Sequence, residues 1–287
     1  MKLSIATKRF DTQLRADGKS ERTRQVYLRD VGKLRCWLKS DVDVSAIAQH
    51  TLARFLADGN GDRAALTINR TKTALRVFFR FLNDAGYLAE NPARLIRSTP
   101  TDRRVPSYLS ADEARRLLDA IANSDSALPK RDHAMFSLLL GTGIRLGSLV
   151  DLNASDLNLA QRTIAIRAKG GRQETVFLNA RLCRLLARYI KAVSATDGTP
   201  LFRSRQGGKL GPRQVQLRLK YWLKAAGITK PLSVHCLRHS FATRLYSLSG
   251  DLRLVQRALG HKHIATTEIY ARVEDKALRN ALENLCF

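Results

Sequence analysis

Four short stretches of this 287-residue chain concentrate side chains able to do chemistry. Gly141-Thr-Gly-Ile-Arg145 sets a lone arginine at a glycine-broken helix end, ahead of Leu146, Leu149 and Val150. Lys169 stands in a turn-like Lys169-Gly-Gly-Arg172. His235-Cys-Leu-Arg238-His239 places His235 and Arg238 three apart, on one face of a helix. Leu259-Gly-His261-Lys-His263 is followed nine residues after His261 by Tyr270. Singly, each has an ordinary explanation: Arg145 caps carbonyls, Lys169 is a plain hairpin lysine, His235 and Arg238 pair on the surface, and Tyr270 packs half-buried. His261-Lys-His263 offers two metal ligands, but no third His, Cys or acidic partner follows at motif spacing, and no metal is expected. Together, two arginines, a lysine, two histidines and a tyrosine suit attack on a phosphodiester without metal. A guanidinium fork holds two non-bridging oxygens and neutralises charge as a pentacoordinate phosphorane forms. A tyrosine hydroxyl, with a pKa of about 10, is a poor nucleophile until a base or cationic surroundings help remove its proton. The leaving 5′ oxygen needs a proton, which a mobile lysine can give.

The charge points the same way. Fifty Lys and Arg against 25 Asp and Glu give a net charge of +25 and a pI near 10.7, with ordinary hydrophobic content at 44%. That combination excludes wholesale disorder and implies a polyanionic partner, nucleic acid before a membrane surface. Residues 1–100 carry 19 basic and 10 acidic residues, so the excess is no detachable tail. The apolar run around Ala134 to Leu140 is too short to span a bilayer, and Met1 to Asp17 has no secretory h-region. Four separated cysteines (Cys36, Cys183, Cys236, Cys286) suggest neither disulfides nor a zinc knuckle. A reduced, cytoplasmic, nucleoid-associated protein is expected.

The elements that must position these residues are mostly helices. Tyr27, Val31, Leu34 and Leu38 form a helical stripe beginning after Ser20, a plausible N-cap. Leu75, Phe78, Phe79 and Leu82 form a second, closed by Gly86, and Lys72, Arg76 and Arg80 repeat every fourth residue on another face. Three cations without an interleaved acid suit a phosphate backbone. Residues 1–97 read as a helical unit and 98–107, polar with two prolines, as a linker. A new unit, 108–287, opens at Ser110 and Glu113, which have capping-box spacing ahead of Ala114, Leu117, Leu118 and Ile121. Within it Thr163–Arg167 alternates and Thr175–Leu178 is strand-like, a β-hairpin with Lys169 at its tip. Helices are expected at 180–193, 213–226, 234–248 and 251–259, and a short amphipathic one near the end, about 275–287.

His235-Cys-Leu-Arg-His-Ser-Phe-Ala-Thr-Arg-Leu, Val255-Gln-Arg-Ala-Leu-Gly-His261 and Thr266-Thr-Glu-Ile-Tyr270 resemble the tyrosine recombinase (integrase) signature in order and spacing. Gly141–Arg145 and Ala168–Arg172 match its two earlier, weaker boxes, and the likeness is strong from about 135 to 275. The resemblance implies a mainly α fold: a helical, SAM-like core-binding domain, then a mixed α/β, mostly helical catalytic domain. It implies that Tyr270 is the nucleophile, forming a 3′-phosphotyrosyl link. Arg145 and Arg238 would clamp the phosphate, Lys169 would be the general acid, His235 the base toward Tyr270, and His261 a phosphate ligand. Lys72, Arg76, Arg80, Arg172 and Arg213 are the expected DNA-binding residues. The covalent link conserves bond energy, so neither ATP, a divalent metal nor any other cofactor is implied.

The implied partner is duplex DNA with an inverted-repeat core site, on which four protomers exchange strands through a Holliday junction, with a paralogue or accessory proteins as further partners. The terminal helix would dock onto a neighbouring protomer or pack on its own domain, and no arm-binding domain is expected beside the core-binding helices. Integration, excision or resolution of a mobile element or replicon all fit. One departure stands out: the family usually has an acid three positions after the first arginine, and here it is Ser148. Asp151 is the expected substitute, with activity surviving but slower or more dependent on the assembled synapse. The rivals are a type IB topoisomerase, which relaxes supercoils without pairing sites, and a catalytically weak DNA-binding relative.

Overall fold

The computed structural model describes residues 1–58, 65–100, 106–124, 128–167, 173–193, 198–260, 267 and 270. Lys169, Arg172, His261 and the expected terminal helix lie outside the described residues. The chain divides into two compact units, Met1–Arg103 and Arg104–Phe287.

The first unit is built on helices α1 (Leu3–Ala16), α2 (Glu21–Leu38), α3 (Gln49–Asp58) and α4 (Ala65–Asp84). The Ser20 side chain accepts from the Thr23 backbone N–H, giving α2 its start where the sequence placed it. Leu75, Phe78, Phe79 and Leu82 of α4 are fully buried against Phe10 and Leu14 of α1 and Val31 and Leu34 of α2. Asp30 is buried as well, and Lys33 and Arg70 neutralise it from α2 and α4. Burial opposes ionisation there, but the hydrogen bonds from Arg70 and Lys33 win and hold its pKa below the ordinary value.

The basic face of α4 has partners of its own. Lys72 Nζ donates to Thr99 Oγ1 at 2.8 Å, and Arg76 lies 3.4 Å from Ser98 Oγ and 3.3 Å from Thr73 Oγ1. Asn69 exchanges two hydrogen bonds with the Thr99 backbone, at 2.8 and 2.7 Å. Arg80 pairs with Asp84 one turn on, at 3.4 Å. The acid absent between the three cations is thus supplied just beyond them.

The second unit opens with α5 (Ala111–Ala122), whose Ser110 and Glu113 form the expected capping box. Helices α6 (Pro129–Thr142), α7 (Leu146–Asp151), α8 (Ala180–Ala192), α9 (Pro212–Ala225), α10 (Val234–Ser249) and α11 (Leu252–Leu259) follow. Proline at the first position starts α6 and α9, Asn179 caps α8 and Asp251 caps α11. Between α7 and α8 lies a three-stranded antiparallel sheet, β1 (Leu157–Asn158), β2 (Thr163–Arg167) and β3 (Gln173–Phe177). The hairpin expectation missed β1, a two-residue strand too short for periodicity to show. It also began β3 two residues late, because Arg167 pairs with Gln173 and Ile166 with Glu174.

One core, running from Leu117 and Phe136 to Trp222 and Leu237, holds this unit together. Asp132 is fully buried within it. It accepts hydrogen bonds from Arg131 at 2.6 and 2.9 Å, Arg218 at 2.6 Å and the Trp222 indole at 2.8 Å. A smaller cluster joins Ala242 of α10 to Val255 and Leu259 of α11 and to Tyr270. Among the described residues no helix is long and apolar enough to cross a membrane.

Candidate active site

Two chain reversals meet at α10, and each depends on local sequence. Helix α6 ends where Gly143 adopts φ +64°, a left-handed conformation that costs glycine little, and Arg145 then stands at the N-cap position of α7 with its side chain making no cap hydrogen bond. Gly260 closes α11 the same way at φ +61°. A Cβ on Gly143 would run into the Phe241 ring, and one on Gly260 would lie 2.7 Å from Glu174 Oε2. Both glycines therefore permit close approach as well as a turn.

Arg238, only 4% exposed, ties these reversals together. One terminal nitrogen donates to the Gly143 carbonyl at 2.7 Å and the other to the Leu259 carbonyl at 2.5 Å. Burial, then the charge of Arg145, lowers its pKa to about 10, while Tyr270 and Glu174 pull in the opposite direction. It stays cationic at neutral pH.

The imidazoles of His235 and His239, one turn apart on α10, meet edge to face with ring centres 4.7 Å apart. Desolvation, then the charges of Arg238 and Arg145, holds His235 below the ordinary histidine value. His239 is driven down to about 4 by burial, then by His235 and Arg238. Tyr270 is 2% exposed, and its hydroxyl lies 2.9 Å from His239 Nδ1. Burial raises the phenol's pKa, and Arg238 offsets only part of that. At neutral pH both partners of that hydrogen bond are uncharged.

Of the six expected catalytic residues, the structure brings together Arg145, His235, Arg238 and Tyr270, near enough for their charges to perturb one another. Lys169 and His261 fall outside the described residues, although the strands flanking Lys169 and the helix leading to His261 are in place. Arg213 is exposed in the first turn of α9. Asp151 requires a correction. Its carboxylate pairs with Lys209 at the surface, because the last turn of α7 faces the loop before α9. Ser148 is buried and donates to the Arg167 carbonyl at 3.1 Å, tying α7 to β2. The carboxylate that acts on Arg238 is that of Glu174 on β3.

Two residues escaped the sequence reading. His239 had a usable signal, since it stands four after His235 and so shares its helix face. Glu174 had none, because only the sheet register and the close of α11 set it beside Gly260. Among the described residues, no cluster of His, Cys, Asp or Glu is arranged to hold a metal ion.

A helical unit followed by a mostly helical unit with a small sheet, and a tyrosine set against two arginines and two histidines, define a DNA strand-breaking and rejoining enzyme of the tyrosine recombinase class. The chain belongs to the phage integrase family: residues 107–277 match that family's description, and residues 7–86 match its N-terminal SAM-like domain. It is 34% identical over 273 residues to the tyrosine recombinase XerC of Chromobacterium violaceum, covering 94% of this chain and 90% of that one. It is 35% identical over 216 residues to the XerC of Alcanivorax borkumensis, covering 74% and 70%.

Among solved structures, XerH site-specific recombinase in a post-cleavage complex with palindromic difH superposes with a TM-score of 0.80 at 24% identity, covering 96% of this chain and 84% of that one. XerA recombinase matches at 28% identity and a TM-score of 0.57, covering 99% and 100%. A lambda integrase tetramer bound to a Holliday junction matches at 22% identity and 0.75, covering 92% and 78%. Site-specific recombination is the activity of this family, and nothing in these likenesses favours a topoisomerase.

Proposed function

We propose that this chain cleaves duplex DNA at a specific core site through Tyr270, forming a 3′-phosphotyrosyl link and freeing a 5′ hydroxyl, and that strands are then exchanged through a Holliday junction. The observation that carries this reading is the position of Tyr270, its hydroxyl on the His239 imidazole of α10 and within the field of buried Arg238, which Arg145 also acts on. Arg238 is held rigidly by two carbonyls, so its remaining N–H groups are preorganised for a phosphate rather than recruited to it. Arg145 supplies the second cation, and His235, on the side of the arginine pair, assists proton transfer at the phosphate. Lys169 is assigned the leaving-group proton and His261 a phosphate hydrogen bond, on the family resemblance.

The net charge of +25 supports a DNA partner. Assembly as a tetramer on inverted repeats, action on a mobile element or replicon, and cooperation with a paralogue or accessory proteins belong to the same reading. Residues 1–97 serve as the core-binding domain and 108–287 as the catalytic domain, joined by 98–107. Arg213, Arg172, Lys72, Arg76 and Arg80 contact the backbone. For Lys72 and Arg76 this requires exchanging Thr99 and Ser98 for phosphate oxygens.

Covalent capture tests the proposal. The protein is incubated with sheared source-genome DNA in EDTA and denatured in SDS, and whatever stays attached is sequenced. Attachment to one recurring sequence, lost in Tyr270→Phe, is the expected result. Capture equal in both proteins, or none in a preparation that binds DNA, would overturn it.

A further inference from the structure

Tyr270 must lose its proton as its oxygen bonds to phosphorus, and its hydroxyl is almost sealed from water at 2% exposure. Among the described residues the one side chain in hydrogen-bond contact with it is His239, with Nδ1 at 2.9 Å. The family resemblance gave this task to His235, which instead lies beyond His239, its ring centre 4.7 Å away and edge to face. We propose that His239 is the base that takes the phenolic proton of Tyr270 during cleavage and returns it during rejoining. The proposal rests on the recombinase reading and assigns one step within it.

The chemistry balances with the groups present. A neutral imidazole accepts at Nδ1 only when Nε2 carries the proton, so the Nε2–H tautomer is the working form. As Tyr270 Oη bonds to phosphorus and the bond to the 5′ oxygen breaks, the phenolic proton passes to Nδ1 and leaves an imidazolium. The 5′ oxygen takes its own proton from a separate acid. Rejoining runs the reverse course, with the 5′ hydroxyl attacking and Tyr270 reclaiming its proton from His239.

The surroundings time this transfer. Arg238 and His235 both disfavour a charged His239 in the free protein, and burial disfavours a charged phenolate. The pair therefore rests uncharged and unreactive. A phosphodiester drawn in by Arg145 and Arg238 brings a negative charge that offsets the repulsion and raises the basicity of His239. Proton transfer is thereby coupled to the arrival of the scissile phosphate, and the nucleophile is not activated without DNA.

The test uses the full chain and a nicked duplex carrying the sequence recovered by covalent capture, and it follows phosphotyrosyl formation in a single turnover. His239→Asn keeps a hydrogen-bonding group near Nδ1 but cannot take the proton, while His239→Ala leaves space for added imidazole. Both are expected to bind the duplex normally and to cleave it at least about a hundredfold more slowly, the usual scale for a lost general base. Imidazole is expected to restore part of the rate in Ala and none in Asn. Cleavage by His239→Asn within about threefold of the parent, or no response of His239→Ala to imidazole, would overturn the proposal.

Should the variants fail to fold, ¹⁵N spectra of the parent protein decide: a proton on His239 Nε2 supports the assignment, and one on Nδ1 overturns it. A parent with no Tyr270-dependent link to DNA overturns the recombinase reading and this step with it. A parent that cleaves alongside equally active His239 variants overturns this step alone.

Discussion

Arg238 and Gly143, 95 residues apart in sequence, are joined by a 2.7 Å hydrogen bond from a guanidinium nitrogen to a backbone carbonyl. The same side chain reaches the Leu259 carbonyl, so one arginine fixes the reversals that lead to Arg145 and to His261. Arg238→Lys keeps the charge but offers a single ammonium on a flexible stem, which cannot reproduce the fork. One buried carbonyl is left without its donor, at a cost of about 1–3 kcal/mol. The variant is expected to melt several degrees lower and to cleave at least about a hundredfold more slowly, the scale of one lost preorganised donor. Unchanged melting in a calorimeter would show that these two bonds do not hold the site together.

Glu174 is the carboxylate whose charge acts on Arg238, whereas Asp151 is engaged by Lys209. Glu174→Gln is expected to slow cleavage about fivefold, the equivalent of about 1 kcal/mol of lost charge balance across a partly exposed site. Ser148→Glu is expected to lower activity and stability further, because the buried Ser148 hydroxyl donates to the Arg167 carbonyl and a carboxylate has no proton to give. Single-turnover cleavage by the two variants separates these effects. A faster Ser148→Glu would restore the view that position 148 lacks an acid the site needs.

Most elements are legible in the sequence, because helix signals are local. The Ser20 cap, the Ser110–Glu113 box and the stripe from Leu75 to Leu82 each lie within a few residues, and each stands where it was expected. His235, Arg238 and Tyr270 were legible through motif spacing. What stayed hidden depends on long-range closure. Ser98 and Thr99 answer the basic face of α4 from more than twenty residues away, and Glu174 meets Gly260 only when β3 and α11 pack together. The contact of Asp132 with Arg218 and Trp222 likewise spans α6 and α9. A charge pattern on one helix does not say which partner will fold onto it.

Asp132 offers a stability prediction separate from catalysis. Its buried carboxylate is the acceptor for Arg131, Arg218 and Trp222, and Arg218 also stacks over the Tyr221 and Trp222 rings at 4.8 and 5.1 Å. Asp132→Asn removes the charge and turns an amide N–H₂ toward a guanidinium. Breaking a buried pair from one side costs about 3–5 kcal/mol. Denaturant unfolding of the variant is expected to show that loss in the second unit, with the first unit unaffected. A loss below about 1 kcal/mol would show that the amide oxygen serves these donors without the charge.

The histidines give the second unit a pH dependence of definite sign. His133, His235 and His239 all have folded pKa values below the ordinary 6.5, with burial as the leading cause, and His239 lies at about 4. Between those values and 6.5 the unfolded chain binds protons that the folded unit refuses, so stability rises with pH across this window. The contribution is complete above about pH 6.5 and is lost as pH falls toward the folded values. All three residues belong to the second unit, whereas in the first the lowered groups are carboxylates, Asp30, Asp41 and Asp43, whose contributions are lost only at more acid pH. Scanning calorimetry from pH 7 to pH 5 is therefore expected to lower the melting of the second unit while that of the first holds, so that the two transitions separate. His239→Asn should flatten the fall without abolishing it, since His133 and His235 still titrate. A second unit that melts at the same temperature across that range would show that these imidazoles charge in place without penalty, and that the site is wetter than its burial indicates.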